Sequence, residues 1–162
     1  SDESYSYIDL LITDREEALR LSGNNDLQSA IRFFGEKRVS SLIITNGSKN
    51  ISTWSDGRFF SSKGLSEMPV SRKITDELKS SAREGDTTGC GDNFVGGVLV
   101  SVVDQLQKGM RNLNFEEACC WGIVSGGFTC FHMGGTYFEE KDGEKMARIR
   151  PYYQSYKKQI LH

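Results

Sequence analysis

The chain has 162 residues, 37% of them apolar and 10% aromatic, enough for one compact domain that buries roughly two thirds of its unfolded surface. Twenty Lys and Arg stand against 22 Asp and Glu, a net charge of −2, so no basic field exists to hold a nucleic acid backbone or an anionic membrane. The longest apolar run, 98–103, is interrupted by Ser101 and falls far short of the ~20 residues of a membrane span, and the N-terminal residues lack the basic start and apolar core of a secretion signal.

These exclusions leave a cytoplasmic protein acting on a small neutral or anionic metabolite. Cys90, Cys119, Cys120 and Cys130 make no Cys-x-x-Cys pairing, which argues against zinc, and three of them fall in apolar helical context as small thiols.

In chain order, the run 7–12 is strand-like, and residues 15–21 place Ala18, Leu19 and Leu21 at helical spacing before Gly23. Asp26 suits the N-cap of a second helix over 27–37 that buries Ala30, Ile31, Phe33 and Phe34. Residues 41–45 form the next strand, and the unbroken Leu42-Ile43-Ile44 points to a strand covered on both faces, as in parallel sheets. Runs 51–54 and 58–61 flank Ser55-Asp56-Gly57, a hairpin signal. Residues 63–83 read as loops with one short edge strand.

Helical spacing returns at 93–108 with Phe94, Val98, Val102 and Leu106, ended by Gly109. Asn114 can cap a further helix running through Glu117 and Trp121 toward Phe131, in which Gly122, Gly126 and Gly127 mark tight packing. Two polar helices, near 139–147 and 152–160, close the chain. The alternation predicts an α/β protein: an open, mostly parallel sheet with helices on both faces, in one domain over residues 1–162.

The chemistry concentrates in Asp86-Thr87-Thr88-Gly89-Cys90-Gly91-Asp92, followed by Phe94 and Gly96-Gly97, a small-residue loop that opens into an amphipathic helix. Backbone N–H groups at a helix start are unpaired and carry the positive end of the dipole, so Gly89, Cys90 and Gly91 can cradle a developing phosphoryl charge. Asp92 in the first turn can accept the proton of an acceptor hydroxyl, with Mg²⁺ bridging the phosphates. A bare Gly-x-Gly-Asp is also an ordinary turn into a helix whose dipole favours an acid.

The full pattern closely resembles the second signature, D-T-x-G-A-G-D, of the ribokinase-like (PfkB) carbohydrate kinases, with Cys90 where Ala is usual. Asp14-Arg15-Glu16-Glu17 is similar to that family's N-x-x-E motif with Asp14 replacing Asn. The resemblance implies that Glu17 organises Mg²⁺ through water and that Asp14 lies near the phosphates, although Asp14 equally suits a helix N-cap. Thr45-Asn46-Gly47-Ser48-Lys49-Asn50 resembles the T-x-G-x-x-G nucleotide loop, which makes Thr45 and Gly47 candidate phosphate contacts and puts Asn50 in the place of the last Gly, where Asn tolerates a left-handed backbone. Phe131-His132-Met133-Gly134-Gly135 resembles the loop that closes over adenine and helps enclose a monovalent cation. By position, Asp86 and the Thr88 carbonyl are then K⁺ contacts with Gly134 opposite, and Ile123 faces adenine.

The resemblance implies ATP, Mg²⁺ and K⁺ as cofactors, a sugar or sugar-like acceptor as partner, and phosphoryl transfer to a hydroxyl; it is compatible with a homodimer. It covers only the latter part of the family's fold, without the N-terminal strands, the Gly-Gly substrate element or the lid. The chain is therefore expected to be a fragment of a longer kinase or a short gene product, and the alternative activity is a catalytically silent nucleotide-binding module. A Cys90 thiol at a helix N-terminus is also expected to have a lowered pKa and to oxidise readily, plugging the anion hole.

Overall fold

In the computed structural model, which describes residues 2–80, 86–135 and 137–161, Asp14 ends one strand and begins a helix. It closes β1 (Leu11–Asp14) and caps α1 (Arg15–Ser22), its carboxylate accepting the Glu17 amide at 2.8 Å. Gly23 ends α1 in the left-handed conformation, and Asp26 caps α2 (Leu27–Glu36) by accepting the Ser29 amide at 2.9 Å. The chain then enters β2 (Ser41–Thr45), which pairs parallel to β1 from Leu11↔Leu42 to Asp14↔Thr45. The predicted first strand thus begins later than residue 7, because Asp2–Tyr7 forms 3-10 turns.

Beyond β2, the chain turns back at once into β3 (Ile51–Ser55) and then β4 (Lys63–Met68), each antiparallel to its predecessor, in the sheet order β1-β2-β3-β4. A mostly parallel sheet is therefore not what these strands form: the sheet is mixed. A parallel return needs a crossover such as α1 and α2 supply between β1 and β2, whereas the links 46–50 and 56–62 are too short for one. The expected hairpin partner at 58–61 is also displaced. Phe60 is fully buried and stacks on Phe115 with ring centroids 4.6 Å apart, and Ser61 donates its amide to Leu113, so this stretch bridges to residue 113 and the edge strand forms later.

The chain divides into two compact units, Ser1–Pro69 with Met110–Phe115 and Val70–Gly109 with Glu116–His162. In the first, Ala18, Ala30, Ile31 and Phe34 pack with Val39, Leu42 and Ile44, joined by Leu11 and Trp54. Full burial of a side chain the size of Phe34 or Leu42 stabilises by roughly 1.5–3 kcal/mol. Ile43 and Thr53, which project from the opposite side of their strands, are buried as well.

The second unit is helical. α3 (Arg72–Ser80) occupies a stretch with weak periodicity, since Ile74 alone is buried along it; the rest of the predicted loop, 81–83, lies outside the described residues. α4 (Cys90–Gln107) buries Phe94, Val98 and Val102, although Leu106 is half exposed. α5 (Phe115–Thr129) approaches α4 so closely that a Cβ on Gly97 would lie 2.4 Å from the Trp121 carbonyl oxygen, and one on Gly126 would lie 2.9 Å from that of Cys90. Instead of two C-terminal helices there is one, α6 (Glu144–Ile160), which continues through Pro151. Its neighbours hold it together despite the amide that Pro151 lacks: Tyr156 is fully buried and Tyr153 stacks on Trp121 at 4.2 Å. Among the described residues no helix is long and apolar enough to cross a membrane.

Candidate active site

The residues singled out in the sequence fall into two sets, one in each unit. In the first unit they cluster at the ends of β1 and β2, which are paired neighbours at Asp14↔Thr45. Asp14 spends one carboxylate oxygen on the α1 cap, while the exposed Glu17 accepts from the Thr13 hydroxyl at 3.1 Å. Thr45 directs its hydroxyl at the Thr13 carbonyl, 3.4 Å away, bracing the same corner. In the turn that follows, Lys49 donates its amide to Asn46, and the residue that adopts the left-handed backbone is Gly47 (φ 58°). Asn50 does not take up the left-handed conformation expected of it; its side chain instead donates to Glu67 on β4 at 3.1 Å. A cavity of about 370 Å³ opens here, lined by Arg15, Asn46, Lys49, Asn50, Ser52 and Glu67 among others.

In the second unit the loop 86–89 and the 3-10 turn Met133–Gly135 are bound to each other. The Asp86 carboxylate accepts the Thr88 amide at 2.9 Å through one oxygen and the Gly134 amide at 2.6 Å through the other. Those bonds, the Thr88 one foremost, hold Asp86 below the usual carboxylate range. Asn93 adds a second link, donating to the Gly89 carbonyl at 2.9 Å and to the Gly135 carbonyl at 3.0 Å, while its own oxygen accepts from Lys145 at 2.7 Å. The approach is tight enough that a Cβ on Gly135 would lie 2.4 Å from the Thr88 oxygen.

Gly89 takes a left-handed conformation (φ 72°) as the N-cap of α4 and offers no capping side chain. The Cys90 amide is engaged by the Thr87 carbonyl at 3.2 Å, but among the described residues no acceptor outside the helix meets the amides of Gly91 or Asp92. Asp92 is exposed in the first turn, and the place where Gly91 would carry a Cβ is open. Ile123 lies buried within α5, 6% exposed.

The expected acidic Cys90 is corrected by its surroundings. Burial first, and then the Cys130 sulfur 2.9 Å away, push the Cys90 thiol up to about 12, so the helix N-terminus does not make it a reactive thiolate.

The donor set suits hard cations. Carboxylate and carbonyl oxygens at Glu17, Asp86 and Thr88 are the ligand type Mg²⁺ and K⁺ prefer, and each Asp86 oxygen that accepts an amide keeps a further lone pair. Among the described residues no three His, Cys, Asp or Glu side chains gather into a cage. Mg²⁺ is commonly held by one or two carboxylates together with water and substrate phosphates, so Glu17 fits such a site without one.

Comparison with solved structures identifies the fold as ribokinase-like. The chain matches ribokinase from Thermotoga maritima with a TM-score of 0.64 and 21% identity, covering 98% of this chain and 45% of that one. It matches fructokinase from Vibrio cholerae O395, bound to fructose, ADP and calcium ion, with a TM-score of 0.63 and 16% identity over 89% and 42%. The adenosine kinase of Sinorhizobium meliloti gives a TM-score of 0.64 and 17% identity over 88% and 36%. The chain therefore spans about two fifths of the length of these structures. Comparison with curated proteins gives no match. The family profile of the pfkB family carbohydrate kinases matches residues 2–142, and the chain belongs to that family.

Sequence reasoning missed Lys145, which orients Asn93, and did not anticipate that Asp86 would join two backbone segments. No periodicity marks Lys145; it is one of several charges in a polar stretch. The Gly134-Gly135 pair was the available signal for the second feature, since two adjacent glycines let another backbone come close.

Proposed function

We propose that this chain carries the phosphoryl-transfer part of an ATP-dependent carbohydrate kinase, which moves the terminal phosphoryl group of ATP to a hydroxyl of a sugar or sugar-like metabolite. One observation supports this most: Asp92 lies exposed in the first turn of α4 beside amides that, among the described residues, no backbone acceptor outside the helix meets, at a glycine whose Cβ position is open. The 18-residue helix directs the positive end of its dipole at that point.

In this reading the Gly91 and Asp92 amides, with Gly89 shaping the approach, receive the charge that develops on the transferred group. Asp92 accepts the proton of the attacking hydroxyl. In the first unit, Thr45 and Gly47 contact the nucleotide phosphates, Asp14 lies near them, and Lys49 and Arg15 bring positive charge to the cavity beside that loop. Glu17 would hold Mg²⁺ through water, and the ion would neutralise phosphate charge. Asp86 and the Thr88 carbonyl would hold K⁺ near the adenine loop at Gly134, with Ile123 as apolar support from α5. The fructose, ADP and calcium ion of the Vibrio cholerae fructokinase, and the potassium ion in a double mutant of that enzyme, agree with this assignment of ligand types.

Because the chain spans about two fifths of the matched structures, a second reading is a nucleotide-binding module without turnover. Calorimetric titration with ATP and Mg²⁺, followed by an ADP-release assay over a panel of sugars, separates the two. Binding with sugar-dependent ADP release establishes the kinase, and binding with no release from any sugar establishes the silent module. Absence of binding removes both.

A further inference from the structure

Two of the four cysteines face each other across 40 positions of chain. Cys90 is the first residue of α4 and Cys130 directly follows α5, and their sulfurs are 2.9 Å apart. Both are half-buried, so a small reagent can reach them, while Cys119 and Cys120 are fully buried. The sulfurs need to close by less than an ångström to reach the ~2.05 Å of a disulfide. The two helices are also close at this point, since a Cβ on Gly126, one turn before Cys130, would lie 2.9 Å from the Cys90 carbonyl oxygen. Each thiol also has a weak backbone acceptor on its outer side, Asp86 at 3.9 Å for Cys90 and Gly126 at 3.8 Å for Cys130, which leaves the two sulfurs facing one another.

We propose that Cys90 and Cys130 are a reversible dithiol–disulfide pair that fastens the first turn of α4 to the end of α5. The oxidant is a low-molecular-weight disulfide. One cysteine thiolate attacks it, releasing one small thiol and forming a mixed disulfide; the second cysteine then attacks that bond, forming Cys90–Cys130 and releasing the second small thiol. Two protein thiols are oxidised and one external disulfide is reduced to two thiols, the protons passing to the released thiolates. The two sulfurs stand at contact distance, so whichever cysteine attacks first, the other is placed to resolve the mixed disulfide. Inside a reducing compartment such a bond is transient, formed under oxidative conditions and removed afterwards. The proposal does not depend on the phosphoryl-transfer reading.

The test is to incubate the native chain with oxidised glutathione, alkylate remaining thiols under native conditions, and map peptides without reduction. The expected result is a single linked pair of peptides carrying Cys90 and Cys130, reversed by dithiothreitol, with a thermal midpoint roughly 5–10 °C higher in the oxidised form from the closed loop. In Cys90→Ser, glutathione should remain on Cys130 as a stable adduct. Stable glutathione adducts on the wild-type pair, or full alkylation of both cysteines after oxidation, overturn the proposal without reference to any variant.

Discussion

Asp86 accepts the Gly134 amide at 2.6 Å across 48 positions of sequence, and in doing so it joins the glycine-rich loop to the turn that follows α5. Its other oxygen holds Thr88, so one carboxylate fixes both sides of the approach. These bonds keep its pKa below that of a free carboxylate. Their contribution is therefore full above about pH 4, the usual aspartate value, and fades as pH falls through the depressed one. The Gly134 amide should be protected at neutral pH, and its protection factor, the intrinsic rate divided by the observed one, should fall on acidification. Asp86→Ala should lose that protection at pH 7; exchange at the wild-type rate in this variant would show that the link is not what orders the turn.

Gly135 has a left-handed backbone (φ 70°), and a Cβ there would lie 2.4 Å from the Thr88 oxygen. Gly135→Ala should lower stability by about 1–3 kcal/mol through backbone strain alone, read as a lower urea midpoint with the slope unchanged. An unchanged midpoint would mean that the two backbones do not meet.

Gly91 behaves in the opposite sense, because its Cβ position is open and its backbone is ordinary helix. Gly91→Ala should therefore raise stability by roughly 0.5–1 kcal/mol, the entropic difference between the two residues in a helix. The added methyl group should at the same time weaken ATP binding, which a titration of the variant measures. A variant that is more stable and binds ATP as well as the wild type would remove Gly91 from the anion site.

The cap that Asp14 forms and its proposed place near the phosphates can be separated by a single substitution. Asn caps a helix as well as Asp does, so Asp14→Asn should leave the thermal midpoint in place. Removing a negative charge beside the phosphates should tighten ATP binding by roughly two- to fivefold, the worth of an exposed charge contact. Unaltered affinity would leave Asp14 as a cap alone.

The legible part of this protein was the part written in local chemistry. The Asp14 and Asp26 caps, the Gly23 stop and the spacing of Phe94, Val98 and Val102 place α1, α2 and α4 from sequence. The family signature likewise located the loop before α4. What escaped depends on tertiary contact. Phe60 leaves the hairpin for Phe115, Pro151 is absorbed by the packing around Tyr153 and Tyr156, and the parallel expectation fails where short links force the chain back. At the site, Asp86 read as a cation contact, whereas its bonds to Thr88 and Gly134 make it first a link between backbones. Cys130 read as one of the small thiols without a Cys-x-x-Cys partner, since nothing in its neighbourhood in sequence points to Cys90.

The central claim is that Asp92 takes the proton of the acceptor hydroxyl, and Asp92→Asn in the complete gene product tests it most directly. Turnover of sugar-dependent ADP release should fall by roughly 10²–10⁴, the usual contribution of a positioned general base, with ATP affinity held within about twofold. Turnover equal to that of the wild type would contradict the account.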